Sequence, residues 1–494
     1  MTQLLLALAL GLSCARAPQE TATVPQAQDP LAQRPEAGPT PAFTAPVPQV
    51  VTLSNGVELW VFERAGLPLV SLQAVISGGA AEDPALGWGQ TALSDRMLTH
   101  GAGDRGADAF AAELEQKAIS LSVGTKATSS IITLDTHADR LEPALDLLAD
   151  AILRPRFDAD EVERVRKITL GDLDSALDTP QSLAVWAGQR VYWGDTHPLG
   201  HPIIGRRDDL TALTPAQLKA SWAARYAPSR VRFVVTGAVT VDGIKAALES
   251  RFGAWKATVG APAAVPAAIK PGGAGPRLVL VDNPGAAQSI LRVVMPGWRS
   301  AEAGLPAARL GVIVLGGTFT SRLNRLLREE RGYTYGAKAW LEPGADQGVA
   351  LAQTAVFQPV TGDALKALLE QLDALRAGVT DEEVEKARGA RRTALVSAME
   401  SRGAVSATYG GLIEQGLSPS AINDELAALN GLTAAAVNAE VAKLNLTDAV
   451  VIVVGDVSQI REQVVSATPG DWTLVEAVAP RPAAPAPAPK KGKR

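Results

Sequence analysis

The sequence predicts an α+β protein made of two homologous domains, each a mostly antiparallel sheet with helices packed on one face. Three observations lead to this fold class. A stretch rich in Pro, Gly and Ala at 260–276 divides the folded part of the 494-residue chain almost equally. Segments on either side match in register at a spacing of about 220 residues, which indicates a duplicated domain. Helical patterns alternate with strand patterns less regularly than in a doubly wound fold, which favours antiparallel sheets.

Composition narrows the classes of function. A chain of 494 residues is too long for one hydrophobic core, and 47% hydrophobic residues are ample for two or three packed domains. The net charge is −5, and acidic and basic residues are mixed along the chain. Such a chain has no broad basic field, which argues against a nucleic-acid partner.

The N-terminal residues have the pattern of an export signal. Residues 3–13, QLLLALALGLS, form an apolar run much shorter than the roughly 20 residues that span a membrane. The only cysteine, Cys14, follows directly, where a bacterial lipoprotein carries its lipidated cysteine. We therefore expect residues 1–14 to be a signal peptide and Cys14 to anchor the protein in the periplasm, at the outer membrane. Gly11 and the absence of a preceding Lys or Arg depart from that motif, so a plain secretion signal and an uncleaved segment stay open.

Low-complexity segments flank the predicted domains. Residues 15–48 are rich in Pro, Ala and Gln and have almost no large apolar residues, which predicts a disordered tether. Residues 477–494 are a Pro-Ala spacer with a small basic end, which is typical of a solvated tail. We assign the N-terminal domain to 49–256, the linker to 257–276 and the C-terminal domain to 277–476.

Local patterns predict the elements of each domain in turn. Asn55-Gly56 between two apolar runs indicates a hairpin, and VSLQAVIS indicates a strand. Apolar spacing predicts helices at 106–117, 141–154, 363–377 and 421–442.

The match between the halves is clearest in two pairs of segments. DADEVERVRKITLGDL (158–173) and DEEVEKARGARRTAL (381–395) each open a helix, the first with Val162, Val165 and Ile168 on one face. RVRFVVTGAV and DAVVIVVGDV are both predicted buried strands that end in Gly.

The segment 76–103, ISGGAAEDPALGWGQTALSDRMLTHGAG, resembles the zinc-helix segment of the pitrilysin/insulinase family of metallopeptidases. The family's helix carries His-x-x-Glu-His, because two His at i and i+4 share a helix face and bind zinc while the Glu activates the metal-bound water. Here Ala92 and Arg96 hold the two His positions, and Asp95 holds the Glu position. The resemblance therefore extends to the frame of the motif and excludes its ligands.

The family's third ligand is a Glu on a later helix, and the same spacing from Arg96 reaches Asp172. Asp172 falls four residues after Ile168 on the predicted apolar face, so we expect it to form a salt bridge with Arg96. An arginine and one carboxylate cannot hold zinc, because the guanidinium stays protonated.

None of the four histidines is expected to bind a metal. His197 and His201 have a tempting spacing, but the prolines and glycine around them indicate a turn. His100 and His137 are isolated, and we expect them to be surface residues or core residues with satisfied hydrogen bonds.

The C-terminal half contains a second family-like segment, LGGTFTSRLNRLLREERGYTYGAKAW (315–340). In the family, an Arg and a Tyr seven residues apart in this segment reach the active site of the zinc-bearing domain. The matching residues are Arg328 and Tyr335, which the resemblance implies are catalytic. A guanidinium can bind a peptide carbonyl or carboxylate, and a phenol can donate to an oxyanion. Alternatively, Arg328 belongs to a charged helix and Tyr335 is an ordinary strand residue, while Gly316-Gly317 are expected to serve close packing or flexibility.

The resemblance covers about residues 48–476 and implies a LuxS/metallohydrolase-like fold, as in mitochondrial processing peptidase. It also implies the non-zinc subunit of a heterodimeric zinc metalloendopeptidase, inactive alone, which binds peptides and supplies Arg328 and Tyr335 to its partner. No cofactor is expected in this chain, and zinc is expected in the partner, a zinc-bearing family member. The alternative is an inactive scaffold or peptide-binding protein, like the family's core subunits of respiratory complexes. Catalysis by an unrelated nucleophile has no Ser-His-Asp or Cys-His pattern to support it.

Overall fold

The computed structural model describes residues 38, 41–84, 87–266 and 277–477. The predicted signal peptide with Cys14, most of the tether and the C-terminal tail, and half of the linker lie outside the described residues. The chain from Thr44 onward forms one compact unit. A search of the described helices finds none with the length and apolar character needed to cross a membrane.

The first sheet lies in the N-terminal half. Its strands are β1 (Gln49–Thr52), β2 (Glu58–Glu63), β3 (Leu69–Ser77), β4 (Ser120–Thr125), β5 (Ser129–His137) and β6 (Val231–Gly237). The strand order is β1-β2-β6-β3-β5-β4. All neighbours are antiparallel except β2 and β6, which are parallel.

The second sheet repeats this plan in the C-terminal half. Its strands are β7 (Arg277–Asp282), β8 (Gln288–Gly297), β9 (Ala337–Glu342), β10 (Gly348–Phe357), β11 (Val450–Gly455) and β12 (Thr473–Ala477). The strand order is β12-β7-β11-β8-β10-β9. β7 is parallel to β12 and β11, and the other neighbours are antiparallel.

Helices connect and cover the two sheets. Those of the N-terminal half are α1 (Gln90–Arg96), α2 (Ala107–Gln116), α3 (Leu141–Leu153), α4 (Ala159–Leu177), α5 (Pro180–Trp193), α6 (Arg207–Ala212), α7 (Pro215–Arg225) and α8 (Val241–Phe252). Those of the C-terminal half are α9 (Leu305–Val312), α10 (Thr361–Ala377), α11 (Asp381–Ser397), α12 (Arg402–Glu414), α13 (Ala421–Gly431), α14 (Ala434–Val441) and α15 (Val457–Ala467). Two π-helical segments follow α9, at Ile313–Gly317 and Asn324–Glu330.

The predicted fold class is confirmed, and the duplication is visible in the sheets. β6 and β11, the two predicted Gly-ending strands, occupy equivalent places between a parallel and an antiparallel neighbour. The hairpin around Asn55-Gly56 joins β1 to β2 as predicted. One prediction needs correction, because the helix expected over 421–442 is two helices. Thr433 caps the second of them by accepting a hydrogen bond from the N–H of Ala436, which interrupts the pattern.

Each half contributes one helix that covers the sheet of the other half. α3 and α8 share the core on one face of the first sheet, whereas its other face is covered by α12 of the C-terminal half. In return, α5 of the N-terminal half packs on β8 and β11 of the second sheet. The ring of Tyr409 in α12 lies 4.5 Å from that of Phe62 and 6.2 Å from that of Trp60.

This exchange explains the composition of the central strands. Successive side chains of a strand point to opposite faces, so a sheet covered on both faces needs apolar residues at both sets of positions. In β2, Leu59 and Val61 join the core beside α3 and α8, while Trp60 and Phe62 face α12. The apolar run of β2 is therefore continuous.

Candidate functional site

The loop before α1 fixes where that helix begins. The two carboxylate oxygens of Asp83 accept hydrogen bonds from the N–H groups of Gly89 and Thr91, each at 2.8 Å. Gly89 has a φ of 95°, and a Cβ there would lie 2.5 Å from the carbonyl oxygen of Ile204. Glycine is therefore required at this position. Burial raises the pKa of Asp83 to about 6.

Arg96 and Asp172 form the predicted salt bridge. Arg96 Nη1 lies 2.7 Å from Asp172 Oδ2 and also donates to Thr169 Oγ1 at 3.2 Å. The two side chains are 36% and 51% exposed. The predicted pairing of α1 with α4 is thus confirmed, and the pair lies at the surface.

The predicted position of Asp172 on the apolar face of α4 is wrong. The buried face contains Val162, Val165 and Leu173, whereas Ile168 is 38% exposed. At 100° per residue, positions 162, 165, 169 and 173 form one stripe, and 168 and 172 lie beside it. Because Asp172 lies beside the buried stripe of α4, its charge at this position needs no special explanation.

Asp95 is buried and fully engaged in structural contacts. Its Oδ1 accepts from Arg225 Nη2 at 2.7 Å and from the Tyr226 hydroxyl at 3.0 Å. Its Oδ2 accepts from Thr125 Oγ1 at 2.7 Å and from the hydroxyl of Ser130. Burial raises the pKa of Tyr226 well above its usual value, so the phenol stays a donor. The carboxylate at the position of the family's Glu links α1 to β4, β5 and α7 and has no capacity left to activate water.

The residues that replace the zinc ligands do not fit zinc. Ala92 has no donor atom, and the guanidinium of Arg96 is a cation that binds Asp172. Among the described residues, no group of three or more His, Cys, Asp and Glu side chains could hold a metal ion. A tight zinc site needs three or four N, S or O ligands.

The histidine pair at 197 and 201 lies in a packed turn, as predicted. The ring of His197 stacks on Trp193 with centroids 4.9 Å apart, and its Nε2 lies 3.0 Å from the carbonyl oxygen of Pro266. His201 stacks on Trp88 at 4.0 Å. Burial lowers the pKa of His201, which favours the neutral ring.

The other two histidines have carboxylate neighbours. His100 Nδ1 lies 2.9 Å from Glu161 Oε1, and burial lowers the pKa of His100. The half-exposed His137 accepts a hydrogen bond from the N–H of Asp139.

Tyr335 lines an open cavity between the second sheet and α5, and Arg328 lies next to this cavity through its contact with Phe319. The cavity has a volume of about 830 Å³, and Tyr335 and Phe319 are among its lining residues. Tyr335 precedes β9 and is 92% exposed. The guanidinium carbon of Arg328 lies 3.8 Å from the ring centroid of Phe319, which is a cation–π contact. Arg328 belongs to a π-helical segment, a geometry that is frequent at functional sites.

Asn324 and Gly316 hold this segment against β9. Asn324 Nδ2 donates to the carbonyl oxygens of Thr318 and Ala337 at 3.0 and 2.9 Å, and its Oδ1 accepts from the N–H of Ala337. A Cβ at Gly316 would lie 2.4 Å from the N atom of Ala339. The predicted close packing at Gly316 is therefore confirmed.

The polar ends of Arg328 and Tyr335 are uncommitted. Within the part of the chain that the structure describes, neither the guanidinium nor the phenol hydroxyl has a hydrogen-bond or ion-pair partner. Among their neighbours, Asn324, Thr334 and Thr354 are hydrogen-bonded, whereas Arg331 and Tyr333 form a cation–π contact with each other. Both groups can therefore donate to a carbonyl, carboxylate or oxyanion that is presented from outside the chain.

Comparisons with known proteins identify the family of this chain. Residues 63–189 match the family model "Insulinase (Peptidase family M16)", and residues 212–390 match "Peptidase M16 inactive domain", which together cover more than half of the chain. The chain belongs to the M16 peptidase family. An uncharacterized zinc protease of Mycobacterium tuberculosis is 26% identical to this M16 chain over 74% of it and 83% of the relative. A non-peptidase homolog of Helicobacter pylori is 26% identical over 36% of this chain and 40% of the relative.

Solved structures share the fold of this M16 chain. A peptidase M16 inactive domain from Pseudomonas fluorescens superposes with a TM-score of 0.75, at 24% identity over 83% of this chain and 98% of the other. A chain of complex III2 from Candida albicans superposes with a TM-score of 0.72, at 14% identity over 85% and 99%. With the substitutions at 92, 95 and 96, these findings support an inactive M16-like protein.

Two cations that were not predicted from the sequence, Arg292 and Lys338, line the cavity of this M16 chain, and Arg292 is the buried one. Arg292 in β8 is 8% exposed, and its Nη1 donates to Gln353 Oε1 at 2.7 Å. Its guanidinium carbon lies 5.4 Å from the ring centroid of Trp340. An arginine inside the apolar run SILRVVM is an available signal, because buried strands exclude charges that have no function or partner.

Proposed function

We propose that this chain is the zinc-free subunit of a two-chain zinc metalloendopeptidase that acts on peptides. It binds peptide and supplies Arg328 and Tyr335 to the active site of a zinc-bearing M16 partner. The observation that carries the proposal is the uncommitted state of both side chains beside an open cavity. Residues of purely structural importance in this segment, such as Asn324, are hydrogen-bonded within the chain.

The two side chains have separate roles in this proposal. The Arg328 guanidinium orients the peptide by donating to a backbone carbonyl or a carboxylate. The Tyr335 hydroxyl donates to the oxygen of the scissile carbonyl as negative charge develops on it. Zinc bound by the partner supplies the Lewis acid and the activated water. Arg96 and Asp95 take no part, because both are engaged in structural contacts.

The test is reconstitution with an M16 chain that has an intact His-x-x-Glu-His motif, preferably one encoded beside this chain. We expect Arg328→Ala or Tyr335→Phe to lower turnover about 100- to 1000-fold, because each removes a donor aimed at the transition state. Dimer formation, measured by size-exclusion chromatography, should be unchanged. Elemental analysis should find about one zinc ion in the partner and none in this chain.

Two matched controls lie in the same segment. Arg325 is exposed and pairs loosely with Glu330 at 3.6 Å, so Arg325→Ala should keep turnover. Tyr333→Phe should also keep it. Full activity of both the Arg328 and Tyr335 variants with an intact dimer would refute the catalytic proposal.

That outcome would favour an inactive scaffold or peptide-binding protein of the same fold. The specific observation on its side is the degenerate zinc site, together with the non-peptidase name of the Helicobacter pylori relative.

We further propose that the protein is exported and held at the outer membrane through a lipid on Cys14. The support is the position of the only cysteine directly after an apolar run of signal length. Cys14→Ser should move the protein from the membrane fraction to the soluble fraction. Unchanged fractionation would leave residues 15–48 as part of a leader only.

A further inference from the structure

The cavity beside Tyr335 is unusual in its charge. Its lining residues include two cations, Arg292 and Lys338, and no Asp or Glu. Its remaining lining is apolar or neutral, with Gln353 the closest polar neighbour of Arg292. A peptide that enters the cavity therefore meets positive charge without a compensating carboxylate in the lining.

Arg292 lies at the inner end of a polar row across the floor of the cavity. The backbone register places Arg292 of β8 opposite Gln353 of β10, and Gln353 opposite Lys338 of β9. Side chains directly opposite each other on antiparallel strands lie on the same face. The row therefore runs from the edge of the sheet, at β9, to the buried guanidinium.

The hydrogen bonds of Arg292 are incomplete. A guanidinium has five N–H donors, and the bond to Gln353 uses one of them. The Nε atom is buried without a partner, and within the described residues no carboxylate is within ion-pair distance of the guanidinium. The carboxylate of Glu342, which is close enough to act on Arg292 electrostatically, accepts a hydrogen bond from Trp340 Nε1 instead.

The first sheet shows that the fold does not require a cation here. Gln73 in β3 lies opposite Val234, three residues before the Gly that ends β6. Arg292 in β8 likewise lies opposite Ile452, three residues before the Gly that ends β11. Gln73 is thus the counterpart of Arg292, and it packs against Gly410 of the crossing helix α12. Because the fold accommodates neutral Gln73 at the equivalent position, the fold alone does not explain the charge of Arg292.

We propose that Arg292 is the anchor of a carboxylate-binding subsite that makes the protein select peptides with an acidic side chain or a free C-terminus. The planar fork of the guanidinium binds a carboxylate through two parallel hydrogen bonds, with Trp340 packed against it. Lys338 attracts the same group at the mouth of the cavity. This inference rests on the proposed function, because it names the class of peptide that the Tyr335 cavity receives.

A second cavity also reaches Arg292, but its lining contains carboxylates and therefore suits an anionic group less well. It has a volume of about 530 Å³ and shares Val185, Arg292 and Trp340 with the first. Its lining also contains Glu342 and Asp346, which repel an anion. The carboxylate therefore approaches Arg292 from the side of Tyr335.

The experiment measures peptide binding to the whole chain by fluorescence anisotropy. The probe is a ten-residue Ala/Ser/Leu peptide with an uncharged coumarin label, in three forms: with a free C-terminus, with a C-terminal amide, and as the amide with one central Glu. We expect the free acid, the Glu form or both to bind more tightly than the plain amide. The form that gains shows which carboxylate is recognised.

Arg292→Gln, which installs the residue of the first sheet, should remove this gain, a weakening of about 10- to 100-fold. Arg292→Lys should keep part of it, since the charge remains but the fork is lost. Arg277→Gln is the matched control, because it removes another partly buried cation from the same sheet. It should leave the gain intact.

Equal binding of all three forms, or an unchanged preference in Arg292→Gln, would overturn this inference while leaving peptide binding in place. Failure of the chain to bind any of the three forms would overturn the proposed peptide binding and the subsite with it.

Discussion

Asp95 and Arg96, adjacent residues of α1, form ion pairs that differ strongly in burial. Asp95 and Arg225 are 1% and 4% exposed at the side chain and form a buried ion pair, whereas Asp172 and Arg96 form a half-exposed one. Removing one partner of a buried pair leaves an uncompensated charge, while exposed pairs contribute little.

We therefore expect Asp95→Ala to lower the free energy of unfolding by about 3–5 kcal/mol. Asp172→Ala should lower it by less than about 1 kcal/mol. Urea unfolding at neutral pH measures both. Similar losses for the two variants would contradict the assignment of Asp95 as a structural centre.

At the residue scale, contacts could be predicted from the sequence where a known motif fixes the spacing between two positions. Spacing alone paired Arg96 with Asp172, because both positions belong to a known constellation. It could not reveal that Asp95 faces Arg225, because that contact joins residues 130 apart through the packing of α1 on α7. The apolar run around Arg292 marks this residue as unusual, but its contacts with Gln353 and Trp340 depend on strand pairing that the sequence does not show.

At the scale of elements, the start of α11 contains a charge cluster that makes stability depend on pH. Thr380 and Glu383 form a reciprocal capping box, and Glu383 also binds Arg322 through two hydrogen bonds of 2.7 Å. The hydrogen bonds from Arg322 lower the pKa of Glu383 to about 2, from 4.5. A carboxyl whose folded pKa is depressed stabilises the fold above its unfolded pKa, and this contribution is lost as pH falls toward the folded pKa.

We expect Glu383→Gln to lower the free energy of unfolding at pH 7 by about 1–3 kcal/mol, after allowance for partial exposure of the side chain. The difference from wild type should shrink at pH 3, because the wild-type carboxylate is losing its advantage there. Urea titrations at the two pH values test this. Glu382→Gln, at an exposed neighbouring position, is the control, and a pH-independent difference would contradict the linkage.

Most elements could be predicted from local pattern, and two predictions failed for separate local reasons. The strands β6 and β11 were predictable as short continuous apolar runs that end in Gly, and α4 was predictable from its helical spacing of apolar residues. Helical spacing placed Ile168 on the wrong face, because residues at i, i+3 and i+6 drift around a helix by about 60° at each step, or about 120° in all. The break between α13 and α14 depends on one capping threonine inside an otherwise helical stretch.

At the scale of the whole molecule, the exchange of α5 and α12 makes the halves interdependent. Each sheet has one face covered by a helix from the other half. Separately expressed, residues 44–256 would expose Trp60 and Phe62, and residues 277–477 would expose the face that α5 covers. The sequence predicted two domains but gave no signal of this exchange, because a helix pattern shows which face is apolar and not which sheet it meets.

We expect each half to aggregate or unfold readily when made alone, and the two to co-purify as a one-to-one complex when made together. Size-exclusion chromatography of both preparations tests this. A monomeric half that unfolds cooperatively on its own would show that the exchanged helix is dispensable.

The exchange of helices also determines the order in which parts of the fold can be completed during synthesis. The hydrogen bond from Ser406 to the carbonyl of Ser71 joins residues 335 apart, so the first sheet is made long before α12 leaves the ribosome. At about 5–20 residues per second, the wait after the N-terminal half is complete is on the order of ten seconds. Throughout that interval the aromatic face of β2 stays open to any other nascent chain. The position of α12 in the sequence therefore determines how long this face waits for its cover when the chain emerges N-terminus first.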